Sequence, residues 1–212
     1  MSAGLADARE RLRRARLYLV VEAAAEHVLP AALRGGVDMV QLRDKGADDE
    51  AILRAAARFR SICDEQGALL WLNDRPDLAL DAEVDGVHVG QDDLPVAVVR
   101  EQVGDALLIG LSTHSPEQFD AAVRSEADQL SVGPVWETPT KEGRPAAGLS
   151  YVRYAAEHGG DRPWFAIGGI TQENVGEVVA AGAGRIVVVR AIRDAADPEA
   201  AAAALRAALE PA

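Results

Sequence analysis

Short apolar runs alternate with longer mixed stretches from one end of this chain to the other. The runs lie at Leu17 to Glu22, Asp38 to Arg43, Leu69 to Asn73, Gly86 to Val89, Leu107 to Leu111, Gln129 to Val132, Trp164 to Ile167 and Arg185 to Val189. Their length and β-rich content predict strands. Between them, Asp49 to Gln66, Pro116 to Glu126, Gln172 to Ala181 and Pro198 to Leu209 carry helical spacing, the last three opening on Ser115, Thr171 and Asp197 as N-caps. Residues Leu5 to Leu17 set Arg9, Arg11, Arg13 and Arg14 among Ala and Leu and predict a surface helix leading into the first strand. Asp7 and Glu10 dilute its charge and argue against a polybasic tail.

Strands separated by helices call for parallel pairing with crossover connections. Eight such units in 212 residues predict a closed (β/α)8 TIM barrel rather than an open doubly wound sheet. The expected organisation is a single domain over residues 1–212, with residues 1–16 as an N-terminal helical extension. A weak internal repeat supports closure. Gly36-Val37-Asp38, Glu83-Val84-Asp85, Glu126-Ala127-Asp128 and Gly182-Ala183-Gly184 each join a helix end to an even-numbered strand.

A barrel places its chemistry on the loops after the C-terminal ends of its strands. Polar and glycine-rich residues cluster there: Gln41-Leu42-Arg43-Asp44-Lys45, Asn73-Asp74-Arg75, Gly90-Gln91-Asp92-Asp93, Ser112-Thr113-His114, Gly133 to Gly148, Gly168-Gly169-Ile170 and Arg190.

Charge narrows the partners. Asp plus Glu outnumber Lys plus Arg by 34 to 22, a net charge of -12, and a field of that sign repels nucleic acid and anionic membranes. Small molecules are the expected partners, and self-association into a homo-oligomer is left open. The single Cys63 excludes an intramolecular disulfide framework, and a buried thiol is expected. No run of 18 apolar residues and no signal-peptide core appear, which predicts a cytoplasmic location.

Candidate chemistry starts with the second strand end. If Met39 to Lys45 is extended, Gln41, Arg43 and Lys45 share one face and offer an amide, a guanidinium fork and an ammonium to an anion. Pairing of both cations with Asp44 and other carboxylates is the competing reading. Asp74 and Asp93 end neighbouring strands and could hold Mg²⁺ together with ligand oxygens. Alternatively, Asp74 caps a helix near Pro76, and Asp92 or Asp93 one near Pro95; charge does not separate these two aspartates. Thr138, Thr140 and Lys141 sit on a long loop whose hydroxyls and ammonium suit phosphate, as does the close backbone approach that Gly168-Gly169 permits before a helix. His88, inside a strand, reads as a hydrogen-bonded core residue. No nucleophile elbow and no His pair at metal-ligand spacing occur. The inventory is rich in phosphate binders and poor in acids and bases, which fits a pyrophosphate leaving group.

Taken together, Gln41-Leu42-Arg43-Asp44-Lys45, Asn73-Asp74-Arg75, Val87-His88-Val89-Gly90-Gln91-x-Asp93, Ile109-Gly110-x-Ser112-x-His114, Gly133-Pro134-Val135 with Thr138-x-Thr140-Lys141, and Ala166-Ile167-Gly168-Gly169-Ile170 resemble the thiamine-phosphate synthase family, in order, over Leu17 to Ile192. The resemblance implies a transferase joining 4-amino-2-methyl-5-hydroxymethylpyrimidine diphosphate to 4-methyl-5-(2-phosphooxyethyl)thiazole with loss of pyrophosphate. It implies that Gln41, Arg43, Lys45, Asn73, Ser112 and Lys141 face the pyrimidine diphosphate, with Arg43, Ser112 and Lys141 as the catalytic set. Thr138, Thr140, Gly169, Val189 and Arg190 would face the thiazole phosphate, and Asp74 and Asp93, the latter rather than Asp92, would bind Mg²⁺. Two positions depart from the family: strand one lacks the usual Thr-Asp pair after its apolar run, and Arg190 stands where many members have Ser. A thiazole tautomerase of the same superfamily needs neither the anion ladder nor the metal carboxylates, and a non-catalytic thiamine-phosphate-binding protein needs no metal pair. The presence of both features argues against these rivals.

Overall fold

The computed structural model describes residues 3–138 and 145–210. Helix α1 (Ala3–Arg14) leads into β1 (Leu17–Val21), followed by a 3₁₀ turn at Ala23–Val28 and α2 (Leu29–Arg34). Then come β2 (Met39–Leu42), α3 (Asp49–Gln66), β3 (Leu69–Asn73), α4 (Pro76–Ala79), β4 (Gly86–Val89), α5 (Val96–Val103), β5 (Leu108–Thr113) and α6 (Pro116–Val123). The chain closes with β6 (Gln129–Val132), α7 (Gly148–His158), β7 (Trp164–Ile167), α8 (Val175–Ala180), β8 (Ile186–Val188), α9 (Arg190–Arg193) and α10 (Pro198–Ala208). The eight strands form a closed parallel barrel in sequence order, β8 pairing back onto β1. The expected TIM barrel is therefore present.

Strand periodicity divides the apolar residues between two cores. Leu17, Leu19 and Val21 of β1, Val40 and Leu42 of β2, and Leu70 and Leu72 of β3 face outward onto the helices. Tyr18, Val20, Met39, Leu69, Trp71, Leu108, Phe165 and Val187 fill the barrel itself. Because both faces are buried, the strands read as continuous apolar runs with little alternation.

Helix α1 corrects the expectation of a surface helix. Leu5, Ala8 and Leu12, spaced for one helical face, join the inner core with Ala15 and plug the N-terminal end of the barrel. Leu5 and Leu12 are each 2 % exposed, and burying such side chains stabilises by roughly 1.5–3 kcal/mol apiece. The arginines of α1 are paired locally: Arg9 with Asp128, Arg13 and Arg14 with Glu10, and Arg11 with the Gly67 carbonyl.

The internal repeat has a physical role at this same end. Asp38 accepts the Arg16 and Leu17 N–H groups at 2.7 and 2.9 Å, Asp85 accepts from Leu70 at 2.8 Å, and Asp128 from Ile109 at 3.0 Å. Each aspartate before an even strand thus ties down the odd strand preceding it. Arg60 and Arg100 clamp the second and third of these carboxylates, both at 2.8 Å. Gly184 occupies the fourth position, with no carboxylate to offer.

Capping follows the expected chemistry at two of three places. Ser115 accepts from Gln118 N at the start of α6, and Asp197 from Ala200 N at the start of α10. Thr171 does not cap a helix running from Gln172. Asn174 accepts the Thr171 N–H through Oδ1 and donates to the Gly169 carbonyl through Nδ2, and this side-chain turn defers α8 to Val175.

Candidate functional site

Every strand delivers its C-terminal end to one mouth, so inward-facing residues near strand ends converge. A cavity of about 320 Å³ opens there. The arc from β2 to β5 contributes Gln41, Arg43, Asn73, His88 and Ser112; the arc from β6 to β8 contributes Thr138, Gly169, Val189 and Arg190. Thr140 and Lys141 lie outside the described residues.

The three-rung ladder on one strand is corrected. β2 ends at Leu42, and although the Arg43 N–H still reaches the Val21 carbonyl at 2.8 Å, Lys45 lies in the turn that follows. Gln41 and Arg43 remain on the inner face. Lys45 instead points along the rim, its Nζ 3.0 Å from an Asp74 oxygen. Asp44 accepts from the Ala23 N–H at 3.3 Å, and Arg43 has no ion pair among the described residues. The guanidinium therefore borders the cavity, and no carboxylate is among the described residues that line it.

Asp74 and Asp93 stand on the rim after β3 and β4. Asp74 has φ of 59°, unusual outside glycine, and its N–H bonds the His88 carbonyl at 2.9 Å, tying the two strand ends together. Asp93 accepts the Gly90 N–H at 2.7 Å. No side chain caps α4 or α5, so the capping reading of these aspartates does not hold. Among the described residues no cluster of three or more His, Cys, Asp or Glu side chains is placed to hold a metal. Neither aspartate is among the residues lining the cavity, and both carboxylates have protein partners, Lys45 for Asp74 and the Gly90 N–H for Asp93; what fits Mg²⁺ is their chemistry, since this ion takes one or two hard carboxylate oxygens and completes its shell with water and ligand oxygens. Arg75, next in sequence, turns away and hydrogen-bonds Asp77 and then Asp49; these bonds raise its pKa and hold the Asp77 carboxyl below the usual carboxylate range.

The glycines after β7 serve packing more directly than anion capture at a helix start, since α8 begins only at Val175. Gly168 and Gly169 have φ of 106° and 68°, and a Cβ on either would strike Pro134 or Trp136 of the loop after β6. The bonds Val135 N–H to Ile167 carbonyl (2.8 Å) and Trp136 N–H to Gly168 carbonyl (3.1 Å) hold the two loops together. The segment that carries Thr138 to the cavity is positioned by this contact. At the opposite seam, Glu22 at the end of β1 pairs with Arg193 of α9 at 3.1 Å.

Below the mouth lies a buried polar layer that joins Gln41 and Ser112 to Tyr18, His88, Gln129 and Ser131, four residues that the motifs do not assign to the site. Gln41 donates to the Tyr18 hydroxyl at 2.6 Å; burial raises the Tyr18 pKa, only partly offset by that bond. His88 Nδ1 is 3.1 Å from Gln129 Oε1 and its Nε2 is 3.0 Å from Ser112 Oγ. Gln129 also donates to Ser131 Oγ at 3.1 Å. His88 is thus the hydrogen-bonded interior residue expected of it, and it also lines the cavity with Tyr18 and Ser131. The signal that would have found Gln129 and Ser131 is their spacing: two polar residues, two apart, on a strand whose other members are apolar.

Against known proteins, the model of the family described as thiamine monophosphate synthase matches residues 17–192. The thiamine-phosphate synthase of Acidothermus cellulolyticus is 55 % identical over 209 residues, covering 96 % of this chain and 95 % of the relative. That of Thermus thermophilus is 52 % identical over 198 residues, covering 90 % and 95 %. Among solved structures, a thiamine phosphate pyrophosphorylase from Pyrococcus furiosus superposes with a TM-score of 0.85 at 31 % identity, over 95 % of this chain and 96 % of that one. A 3-hexulose-6-phosphate synthase, at 19 % identity and a TM-score of 0.65, shares the fold alone. With six motifs in order, a matching barrel and relatives of this identity over nearly its whole length, the chain belongs to the thiamine monophosphate synthase family.

Proposed function

We propose that the protein joins 4-amino-2-methyl-5-hydroxymethylpyrimidine diphosphate to 4-methyl-5-(2-phosphooxyethyl)thiazole, forming thiamine phosphate and pyrophosphate. One observation carries the assignment of ends: of the residues that resemblance assigns to the pyrimidine diphosphate, Gln41, Arg43, Asn73 and Ser112 line one arc of a single cavity, and of those it assigns to the thiazole phosphate, Thr138, Gly169, Val189 and Arg190 line the other. Two substrates brought into one enclosure react as neighbours, which removes much of the entropic part of the barrier.

In this reading Gln41 and Asn73 orient the pyrimidine end, and Arg43, with Lys141 beyond the described residues, sets positive charge against the departing diphosphate. Lys45 holds the Asp74 carboxylate in place at the rim. Asp74 and Asp93 would hold Mg²⁺, which when bound supplies positive charge against the diphosphate oxygens. The C–O bond to the diphosphate breaks first, its electron pair leaving with the pyrophosphate, and the thiazole nitrogen donates its lone pair to the resulting pyrimidinylmethyl cation. No protein base is needed, in keeping with a cavity whose polar groups are chiefly amides, hydroxyls and guanidinium groups. Thr138, the Gly169 backbone, Val189 and Arg190 border the phosphate of the second substrate, and Thr140, outside the described residues, joins them by the family resemblance alone. No described helix is long and apolar enough to cross a membrane, and a cytoplasmic enzyme of small-molecule substrates is the reading we adopt.

Incubating the protein with both substrates, with and without Mg²⁺, and following pyrophosphate and thiamine phosphate tests this. Equimolar, Mg²⁺-dependent appearance of both products is expected. Conversion of a thiazole isomer without pyrophosphate would instead establish the tautomerase, and binding without turnover the non-catalytic protein.

A further inference from the structure

The ligand-facing roles proposed above leave the hydrogen bonds beneath Ser112 without a purpose. His88, Gly110 and Gln129 stand side by side at one level of the barrel, on β4, β5 and β6. Gly110 opens the gap through which the outer two meet: a Cβ at that position would collide with both His88 Nδ1 and Gln129 Oε1. Across that gap the chain of contacts runs from Leu130 O to Gln129, to His88, and back up to Ser112 on β5. His88 and Ser112 are each 6 % exposed, and Gln129 is fully buried.

The direction of every proton follows from the fixed end. The Leu130 carbonyl can only accept, and Gln129 Nε2 lies 2.6 Å from it, so the amide is oriented with Oε1 toward His88. An amide oxygen only accepts, so the imidazole proton resides on Nδ1. We take the imidazole as neutral, as its 6 % exposure favours; its lone pair is then on Nε2, and Ser112 Oγ–H donates to it. We propose that Gln129 and His88 are positioning residues that commit the Ser112 proton inward and present its oxygen to the cavity as an acceptor. Ser112 is thereby matched to a donor on the substrate, the exocyclic amine of the pyrimidine, and mismatched to diphosphate oxygens, which only accept. The inference rests on the reading that Ser112 borders the pyrimidine end, and it moves this residue from the diphosphate to the ring.

Two measurements test it. In ligand-free protein labelled with ¹⁵N-histidine, with the His88→Gln variant identifying the resonances, His88 should be the Nδ1–H tautomer; an Nε2–H tautomer overturns the relay whatever the substrate is. Second, Gln129→Met keeps the volume but removes the acceptor. Discrimination between the pyrimidine diphosphate and its analogue lacking the 4-amino group should then fall about fivefold, the equivalent of roughly 1 kcal/mol for one oriented hydrogen bond, while KM for the thiazole phosphate stays unchanged. Unaltered discrimination, or an equal rise in KM for both substrates, overturns the proposal. Wild-type protein that binds neither pyrimidine compound would overturn the pyrimidine-site reading itself, and the inference with it.

Discussion

Gly168→Ala is the most demanding test of how the cavity wall is built. The added Cβ would lie 2.5 Å from the Pro134 Cα and 3.0 Å from the Val135 N, where ordinary contact begins near 3.4 Å, so the two loops must part by about 0.9 Å. The backbone there has φ of 106°, which an alanine tolerates poorly. Overpacking of this kind costs about 1–3 kcal/mol, and a backbone held in a sparsely populated region about as much again. The expected destabilisation is roughly 2–6 kcal/mol, which for a chain of this size lowers Tm by roughly 4–24 °C. Parting the loops also lengthens the Val135 to Ile167 and Trp136 to Gly168 bonds and displaces Thr138 from its wall. A shift of about 1 Å in a positioning element can cost up to about 100-fold in rate, so KM for the thiazole phosphate should rise at least tenfold, with a smaller effect on the pyrimidine diphosphate. Steady-state kinetics with each substrate varied in turn, beside a thermal melt, measures both. Gly46→Ala is the control: nothing lies within 4 Å of its Cβ position, and it should behave as wild type. A Gly168→Ala protein with unchanged Tm and both KM values unchanged would refute the reasoning.

Arg43→Ala should lower kcat/KM for the pyrimidine diphosphate by about 100-fold or more, the usual consequence of removing one charge-stabilising group, while the melt stays near wild type because Arg43 has no ion pair to lose among the described residues. Normal turnover would return Arg43 to an ordinary rim residue. Asp93→Ala should abolish the Mg²⁺ dependence of pyrophosphate release, measured as rate against metal concentration; a retained Mg²⁺ titration sinks the metal assignment. Asp85→Ala frees the Leu70 N–H and leaves Arg60 with only the exposed Asp64 as a carboxylate partner, so urea unfolding should report about 1–3 kcal/mol lost with kinetics unaffected once folded. Burial pushes the Cys63 thiol up from 9.0 to about 12, so the folded state holds this proton more tightly than the unfolded chain; its contribution is complete below about pH 9 and is lost as pH rises toward 12. Native protein at pH 9 should resist iodoacetamide, and Cys63→Ala should flatten the fall in stability above that pH; rapid labelling of folded protein would contradict both.

The barrel was legible because its strands are short, apolar and evenly interleaved with helices, a rhythm that survives the loss of alternation inside any one strand. The mouth was legible because polar residues crowd the strand ends. What escaped was mostly directional. Lys45 was read as a third rung because nothing in the residues announces that β2 stops at Leu42, and its ammonium is drawn aside by Asp74. Helix α1 looked like a surface helix because its arginines mask the stripe of Leu5, Ala8 and Leu12, whose partner, an open barrel end, exists only after closure. Thr171 was an acceptable cap by composition, but the competing turn made by Asn174 is decided by local geometry. Tyr18 sits in a run with no polar neighbour to mark its phase, and Gln129 acquires its meaning only when Gly110 brings it against His88 across an intervening strand.

The aspartates at the floor of the barrel give the ring an uneven stiffness. The pairs β1–β2, β3–β4 and β5–β6 are each cross-tied by a carboxylate, whereas β7–β8 is joined at only two paired positions and has Gly184 where a tie would be. A closed sheet cannot open at an edge, so strain introduced at the mouth must spread around the circumference and gather in its most compliant segment. That segment carries Gly168, Gly169 and, just past it, Arg190, on the wall proposed for the thiazole phosphate. The side proposed for the pyrimidine is thereby the more heavily cross-tied, and such accommodation as the entry of two ligands requires is expected to fall to the other side.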